Sequence, residues 1–293
     1  MYNIRKKLCF LTTLLFVAGI ILSKLPLKNN QSPVSAVNGN AVTAGASVLS
    51  EGGEKFVAHR GYSNYAPENS IPAFELAGAT GFWGIETDIS ETTDGQFICM
   101  HDDTLDRTTN GEGNVTDYSL EQINGFKIDS GNYISKTENL KIPTMNEYLT
   151  ICAKYGCVPV VEIKNINNYD TFLNEIIASG LENRCIITGA INDILEIRAR
   201  NTVIPVMTIG YTPAPYTDNL NDIAQIPDNR GILYNYPQVD RAAIDILHRQ
   251  NIYCGVWSVD EGEVAAAYEE YGADFIVTNE IPARLNHMIN DNE

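Results

Sequence analysis

Proton transfer at neutral pH most readily uses imidazole, and this 293-residue chain places two of its four histidines in conspicuous company. His59 opens His59-Arg60-Gly61, and His101 closes an apolar stretch as Met100-His101-Asp102. With a reference pKa of about 6.5, each ring can both take up and give a proton. Glu86-Thr87-Asp88 holds two acids at a spacing of two, and Glu162-Ile163-Lys164 an acid and a base at the same spacing. Side chains of a strand repeat every second residue, so each pair shares a face. Burying Glu or Lys is costly unless the group is paired or binds a metal. Each motif alone has a bland reading: a surface His-Arg, acids paired with nearby bases, a salt bridge at Glu162 and Lys164, a core Trp257. Together at matching strand ends they stop being independent. His248 and His287 fall in outer helical stretches and read as surface residues.

A strand-then-helix rhythm from residue 55 must position these groups. Strand-like runs cover 55–61, 84–89, 158–164, 184–189, 205–211, 231–236, 252–259 and 273–278. Most are continuous Val- and Ile-rich runs, as suits strands buried on both faces. Amphipathic stretches lie between them at 71–80, 145–155, 171–179, 193–200, 241–249 and 263–271. Asp240 and Asp260 mark helix starts, and Gly156, Gly180 and Gly272 mark ends. The pattern predicts an α/β fold, a (β/α)8 TIM barrel whose active site lies at the carboxyl ends of the strands. One interval breaks the rhythm: an insertion between the second strand and the second helix. It opens with the turn Thr93-Asp94-Gly95 and an extra strand at 96–101. A stretch rich in Asn, Thr, Gly and Asp follows at 102–142, with one short helical piece near 119–123.

The first thirty residues stand apart. Arg5, Lys6 and Lys7 precede an uncharged apolar run at 8–22, with Lys24 and Lys28 beyond it. That layout predicts a signal peptide or an N-terminal anchor over 1–30, engaging the membrane or the export machinery. A cleaved signal and a retained anchor both remain open, since the run is short against the ~20 residues of a spanning helix. Residues 31–54 read as a flexible linker, and 55–293 as the barrel domain. The location expected is extracellular or anchored to the outer face of the cytoplasmic membrane. Five of the 20 basic residues lie in those first thirty, so the remainder carries 15 against 37 acidic ones, a net charge of −22. Such a surface excludes general nucleic-acid binding. An anionic substrate needs a locally positive site, which a bound divalent cation would supply. Five cysteines beyond Cys9, without metal-finger spacing, predict no disulfide framework.

The ordered motifs resemble the glycerophosphodiester phosphodiesterase family. The likeness is carried by His59-Arg60-Gly61, Pro67-Glu68-Asn69-Ser70 with Phe74, Glu86-x-Asp88, Thr93-Asp94-Gly95 and His101-Asp102-x-Thr104-Leu105-x-Arg107-Thr108-Thr109. It continues through Gly111, Gly113, the 140–143 exit, Glu162-Ile163-Lys164 and Trp257-x-Val259-Asp260. Ser70 stands where many relatives have Thr, which keeps the hydroxyl. The resemblance implies hydrolysis of a small glycerophosphodiester to sn-glycerol 3-phosphate and an alcohol. It implies one divalent cation on Glu86, Asp88 and Glu162; hard oxygen donors suit Ca²⁺ or Mg²⁺ rather than zinc. His59 and His101 would form the acid–base pair. Arg60 and Lys164 would hold phosphate oxygens, with Glu68 and Asn69 at the substrate site in support, and Trp257 would flank the substrate. The cation and Arg60 would neutralise an anionic ester that otherwise repels nucleophiles. Which histidine is acid and which is base stays open, as does the attacking group. The alternatives weighed are a phospholipase C- or lysophospholipase D-like enzyme, a hydrolase of a wall glycerol-phosphate polymer, a sugar hydrolase and an inactive barrel used for binding.

Overall fold

The structure, a computed structural model, describes residues 47–136, 138–210 and 217–280. Expectations for residues 1–46 and His287 lie outside the described residues. Among the described residues no helix is long and apolar enough to cross a membrane.

The strands are β1 (Phe56–Ala58), β2 (Gly84–Glu91), β3 (Phe97–Cys99), β4 (Val158–Asn165), β5 (Ile186–Gly189), β6 (Val206–Gly210), β7 (Arg230–Asn235), β8 (Ile252–Trp257) and β9 (Phe275–Thr278). Eight of them run parallel in the order β1-β9-β8-β7-β6-β5-β4-β2, and β1 also pairs with β2, so the barrel closes. The helices are α1 (Ile71–Ala79), α2 (Leu120–Ile123), α3 (Met145–Tyr155), α4 (Tyr169–Ala178), α5 (Ile191–Arg200), α6 (Thr217–Ile223), α7 (Arg241–Arg249) and α8 (Gly262–Tyr271). Of these, α6 was not expected from the sequence pattern.

Alternation along each strand divides the apolar side chains into two packed layers. Ile85, Ile89, Val161, Ile163, Ile187, Ile232 and Ile276 face outward and pack with helix residues such as Leu149, Ile176 and Ile244. Val57, Val158, Val160, Ile186, Met207, Leu233, Phe275 and Val277 face inward and fill the lower barrel. Val48 and Leu49 join that inner layer from a short 3-10 turn, Val48–Ser50. Lys55 Nζ donates to the Leu49 carbonyl and holds the turn in place. Part of the stretch expected as linker is therefore the barrel's floor. Two apolar residues in a polar run carry no periodic signal, which explains the difference.

Tyr148, fully buried on α3, ties together the two strands that carry the acids. Its hydroxyl donates to the Ile85 carbonyl (2.6 Å) and accepts from the Val160 N–H (3.1 Å). The insertion has a small core of its own in Ile98, Met100, Leu105, Val115, Ile123, Ile128 and Ile142. Cys99, Cys152, Cys157, Cys185 and Cys254 are buried free thiols, behaving as small hydrophobes.

Candidate active site

Following the inward faces upward, apolar residues give way to polar ones at the carboxyl ends. Val57 leads to His59, Gly84 to Glu86 and Asp88, Val160 to Glu162, Ile186 to Thr188, and Val277 to Asn279. The ladder sets Asp88 opposite Glu162 across β2 and β4. One oxygen of each of Glu86, Asp88 and Glu162 lies within 4.8 Å of the others. Burial, reinforced by Asp88 and Glu162, pushes the Glu86 carboxyl well up, and burial with Asp88 raises that of Glu162. Glu86 Oε2 accepts the Arg60 backbone N–H (2.7 Å), while its buried Oε1 meets no hydrogen-bond partner among the described residues. An all-oxygen donor set, crowded and buried with an orphaned carboxylate oxygen, fits a divalent cation.

Two cationic side chains face this cluster. Lys164 Nζ bonds Glu162 and lies 3.2 Å from Asp88. The β2–β4 register slips just where Lys164 stands, between Ile163 and Asn165, so a bulge aims it. Arg60 Nε is 3.4 Å from Asp88, and Arg60 Nη1 donates to Glu68 (2.8 Å). Burial opposes charge on both groups, but Asp88 with Glu86 holds Arg60 up, and Asp88 with Glu162 holds Lys164 up. Arg60 reaches this position in the left-handed region, at φ 56°. For a residue with Cβ that costs ~1–3 kcal/mol, the kind of strain that clusters at functional sites. Gly61 follows at φ +75°, where a Cβ would come 2.7 Å from the Ala73 backbone.

Each histidine is held by Nδ1. Asp260 only accepts, and Asn279 turns its amide Nδ2 (3.0 and 3.2 Å) and its backbone N–H (2.8 Å) to it. That leaves Asn279 Oδ1 for His59 Nδ1, at 2.9 Å, so Nδ1 carries the proton and Nε2 keeps its lone pair. Burial, then the charge of Arg60, lowers the His59 pKa and keeps the ring neutral. His101 Nδ1 instead meets a carboxylate, Asp102 Oδ1, at 2.7 Å. Arg107 grips that carboxylate and Glu68 together.

The structure thus links Arg60, Glu68, Asn69, Glu86, Asp88, His101, Glu162 and Lys164 into one network through Arg107 and Asp102, and holds His59 separately through Asn279. Two of them hold other side chains. Asn69 is buried, donating Nδ2 to Asp88 (2.8 Å) and accepting the Thr87 hydroxyl (2.7 Å) on Oδ1. Glu68 spends both oxygens on arginines; burial pushes its carboxyl up, but the hydrogen bonds from Arg107 and the charge of Arg60 hold it at about 2. Trp257 closes β8 with a buried Nε1 that meets no partner among the described residues. Residues whose roles sequence reasoning missed are Asn279, Asp260, Asp102 and Arg107. The last three stood inside the quoted motifs, and Asn279 sits at the end of β9 as a residue type without a chemical signature.

A model of the glycerophosphoryl diester phosphodiesterase family matches residues 59–283. The chain is 43% identical over 110 residues to a glycerophosphodiester phosphodiesterase of Caldanaerobacter subterraneus subsp. tengcongensis, covering 37% of this chain and 44% of that one. It is 35% identical over 172 residues to a glycerophosphodiester phosphodiesterase of Bacillus subtilis, covering 56% of each. The chain therefore spans about half the length of these curated relatives. A phosphodiesterase of Oleispira antarctica, solved in complex with the product sn-glycerol-3-phosphate, superposes with a TM-score of 0.65 at 21% identity. That match covers 80% of this chain and 96% of that one, and bears out the barrel fold.

Proposed function

Because the chain belongs to the glycerophosphoryl diester phosphodiesterase family, we propose that it hydrolyses glycerophosphodiesters to sn-glycerol 3-phosphate and an alcohol. The observation that carries this reading is three crowded carboxylates beside two imidazoles, each spending Nδ1 on a neighbour and keeping Nε2 for chemistry. Glu86, Asp88 and Glu162 would hold one divalent cation, Ca²⁺ or Mg²⁺. When bound, that ion neutralises phosphate oxygens and stabilises the extra charge of the transition state. Arg60 and Lys164, charged and aimed at the same spot, hold the remaining phosphate oxygens.

The histidines differ in a way that supports a division of their work. His59, neutral and backed by an uncharged amide, accepts the proton of the attacking hydroxyl on Nε2. His101, backed by Asp102, gives its proton to the leaving alkoxide, the carboxylate offsetting the charge the protonated ring carries until that transfer. Trp257 offers an apolar ring to the substrate's alcohol portion. We also propose, from the basic start and apolar run of residues 1–30, that the protein acts outside the cytoplasmic membrane; recovery with cytosolic markers after fractionation would contradict this.

The purified chain is to be assayed on glycerophosphocholine with Ca²⁺, with Mg²⁺ and with EDTA, beside His101→Ala. Cation-dependent release of sn-glycerol 3-phosphate, absent with EDTA and in the variant, is the expected result. A folded protein that releases none with either cation sinks the small-diester reading.

A further inference from the structure

We infer that Arg107 is a positioning residue that locks the phosphate-holding arm of the site to its second histidine. The inference rests on the phosphodiesterase reading above. Arg107 lies in the insertion, 39 residues from Glu68 and five from Asp102. Its guanidinium forks onto both carboxylates. Nη1 and Nη2 donate to Glu68 Oε2 and Oε1, each at 2.8 Å, while Nε and Nη2 donate to Asp102 Oδ2 and Oδ1 at 2.6 and 2.9 Å. Each carboxylate has one further partner, and in both cases that partner belongs to the site. Glu68 Oε1 accepts from Arg60 Nη1, and Asp102 Oδ1 meets His101 Nδ1. A continuous line of charge-assisted bonds therefore runs Arg60, Glu68, Arg107, Asp102, His101, joining the loop before α1 to the segment after β3.

Removing the guanidinium leaves Glu68 to close on Arg60 alone and frees Asp102 to leave His101. Both changes misplace a group that meets the substrate. Little stability goes with them, because the Arg107 side chain is 47% exposed and the insertion has its own apolar core. Lysine cannot substitute, since one ammonium cannot serve four oxygens in two planes. A direct substrate contact is disfavoured, because four of the five N–H donors of Arg107 are already spent on two anions.

The test uses the full chain with a saturating cation, comparing wild type, Arg107→Ala, Arg107→Lys and the remote surface variant Arg200→Ala. We expect Arg107→Ala to lower kcat by about 10²-fold, the usual cost of a misplaced group, with KM and Tm nearly unchanged. Added methylguanidinium should restore much of that loss in Arg107→Ala and nothing in Arg200→Ala, while Arg107→Lys should recover little. Unchanged kcat in Arg107→Ala overturns the inference. So does a raised KM at constant kcat, which would mean a direct substrate contact, or a fallen Tm without rescue, which would mean a structural staple. If the wild type releases no sn-glycerol 3-phosphate, the phosphodiesterase reading fails, and ¹⁵N-histidine NMR still decides the positioning role. The His101 Nδ1–H signal should be lost in Arg107→Ala and return with methylguanidinium; an unchanged spectrum overturns it.

Discussion

Glu86→Gln separates the cost of the acid cluster from its use. The amide oxygen of Gln can keep the 2.7 Å bond from the Arg60 N–H, and Oε1 has no partner to lose. What disappears is one of three negative charges held within 4.8 Å. At that distance and an effective dielectric of 20, each neighbour repels Glu86 by about 3 kcal/mol. Arg60 offsets part of this, yet the raised Glu86 pKa shows that repulsion and burial win. The variant should therefore be at least as stable as wild type in EDTA at neutral pH. The benefit should shrink as pH falls and vanish below 4.5, the ordinary value, where Glu86 is protonated in both folded and unfolded chains. With cation the order reverses. A ligand at 100 times its Kd adds about 2.7 kcal/mol, worth about 5–11 °C in a domain of this size. Wild type should gain that shift in Mg²⁺ or Ca²⁺, and Glu86→Gln should gain almost none and lose activity. Differential scanning fluorimetry with EDTA and with each cation measures both arms. A Glu86→Gln protein that melts well below wild type in EDTA, or still responds fully to cation, would refute the reasoning.

Asn279→Leu keeps the forked outline but removes the oxygen that fixes His59 Nδ1, so kcat should fall about 10²-fold with the fold intact; steady-state kinetics beside circular dichroism would show it. Tyr148→Phe strands the Val160 N–H and the Ile85 carbonyl in a dry core and should cost about 1–3 kcal/mol in urea melts. His248 bonds Asp274 at 3.0 Å, which raises its pKa above 6.5, so the folded ring binds its proton more tightly than the unfolded one. Its contribution is complete below pH 6.5 and is lost as pH rises through the folded value. His248→Asn should flatten that slope, an effect kept small by solvent exposure, and equal slopes in both proteins would contradict it.

The strands were legible because strands buried on both faces must be apolar throughout, and the site because polar residues at their ends stand out against that background. Boundaries failed where local geometry intervened. The first strand was expected over 55–61 but ends at Ala58, because Arg60 and Gly61 leave the ladder in left-handed conformations. Helix α6 escaped because Leu220 and Ile223 give only two apolar positions in seven residues. The long-range partnerships were out of reach for another reason. His59 and Asn279 are 220 positions apart, and an Asn at a strand end announces nothing until the barrel closes.

One strand organises the whole arrangement. Because β1 stops at Ala58, it pairs with β2 only through Gly84 and Ile85, and the rest of that edge is open to other segments. The Glu86 carbonyl accepts the Gly61 N–H (3.2 Å), docking the turn that bears His59 and Arg60. The Asp88 carbonyl accepts the Met100 N–H (2.9 Å), and β3 pairs antiparallel with the strand beyond, delivering His101. Two of the three residues whose side chains would hold the cation thus use their backbones to fix both histidines. The insertion is then the second wall of the site rather than an ornament on the barrel. A shift in β2 must move both imidazoles and the acid cluster together, whereas loss of Asn279 or Asp102 releases one imidazole and leaves the other in place.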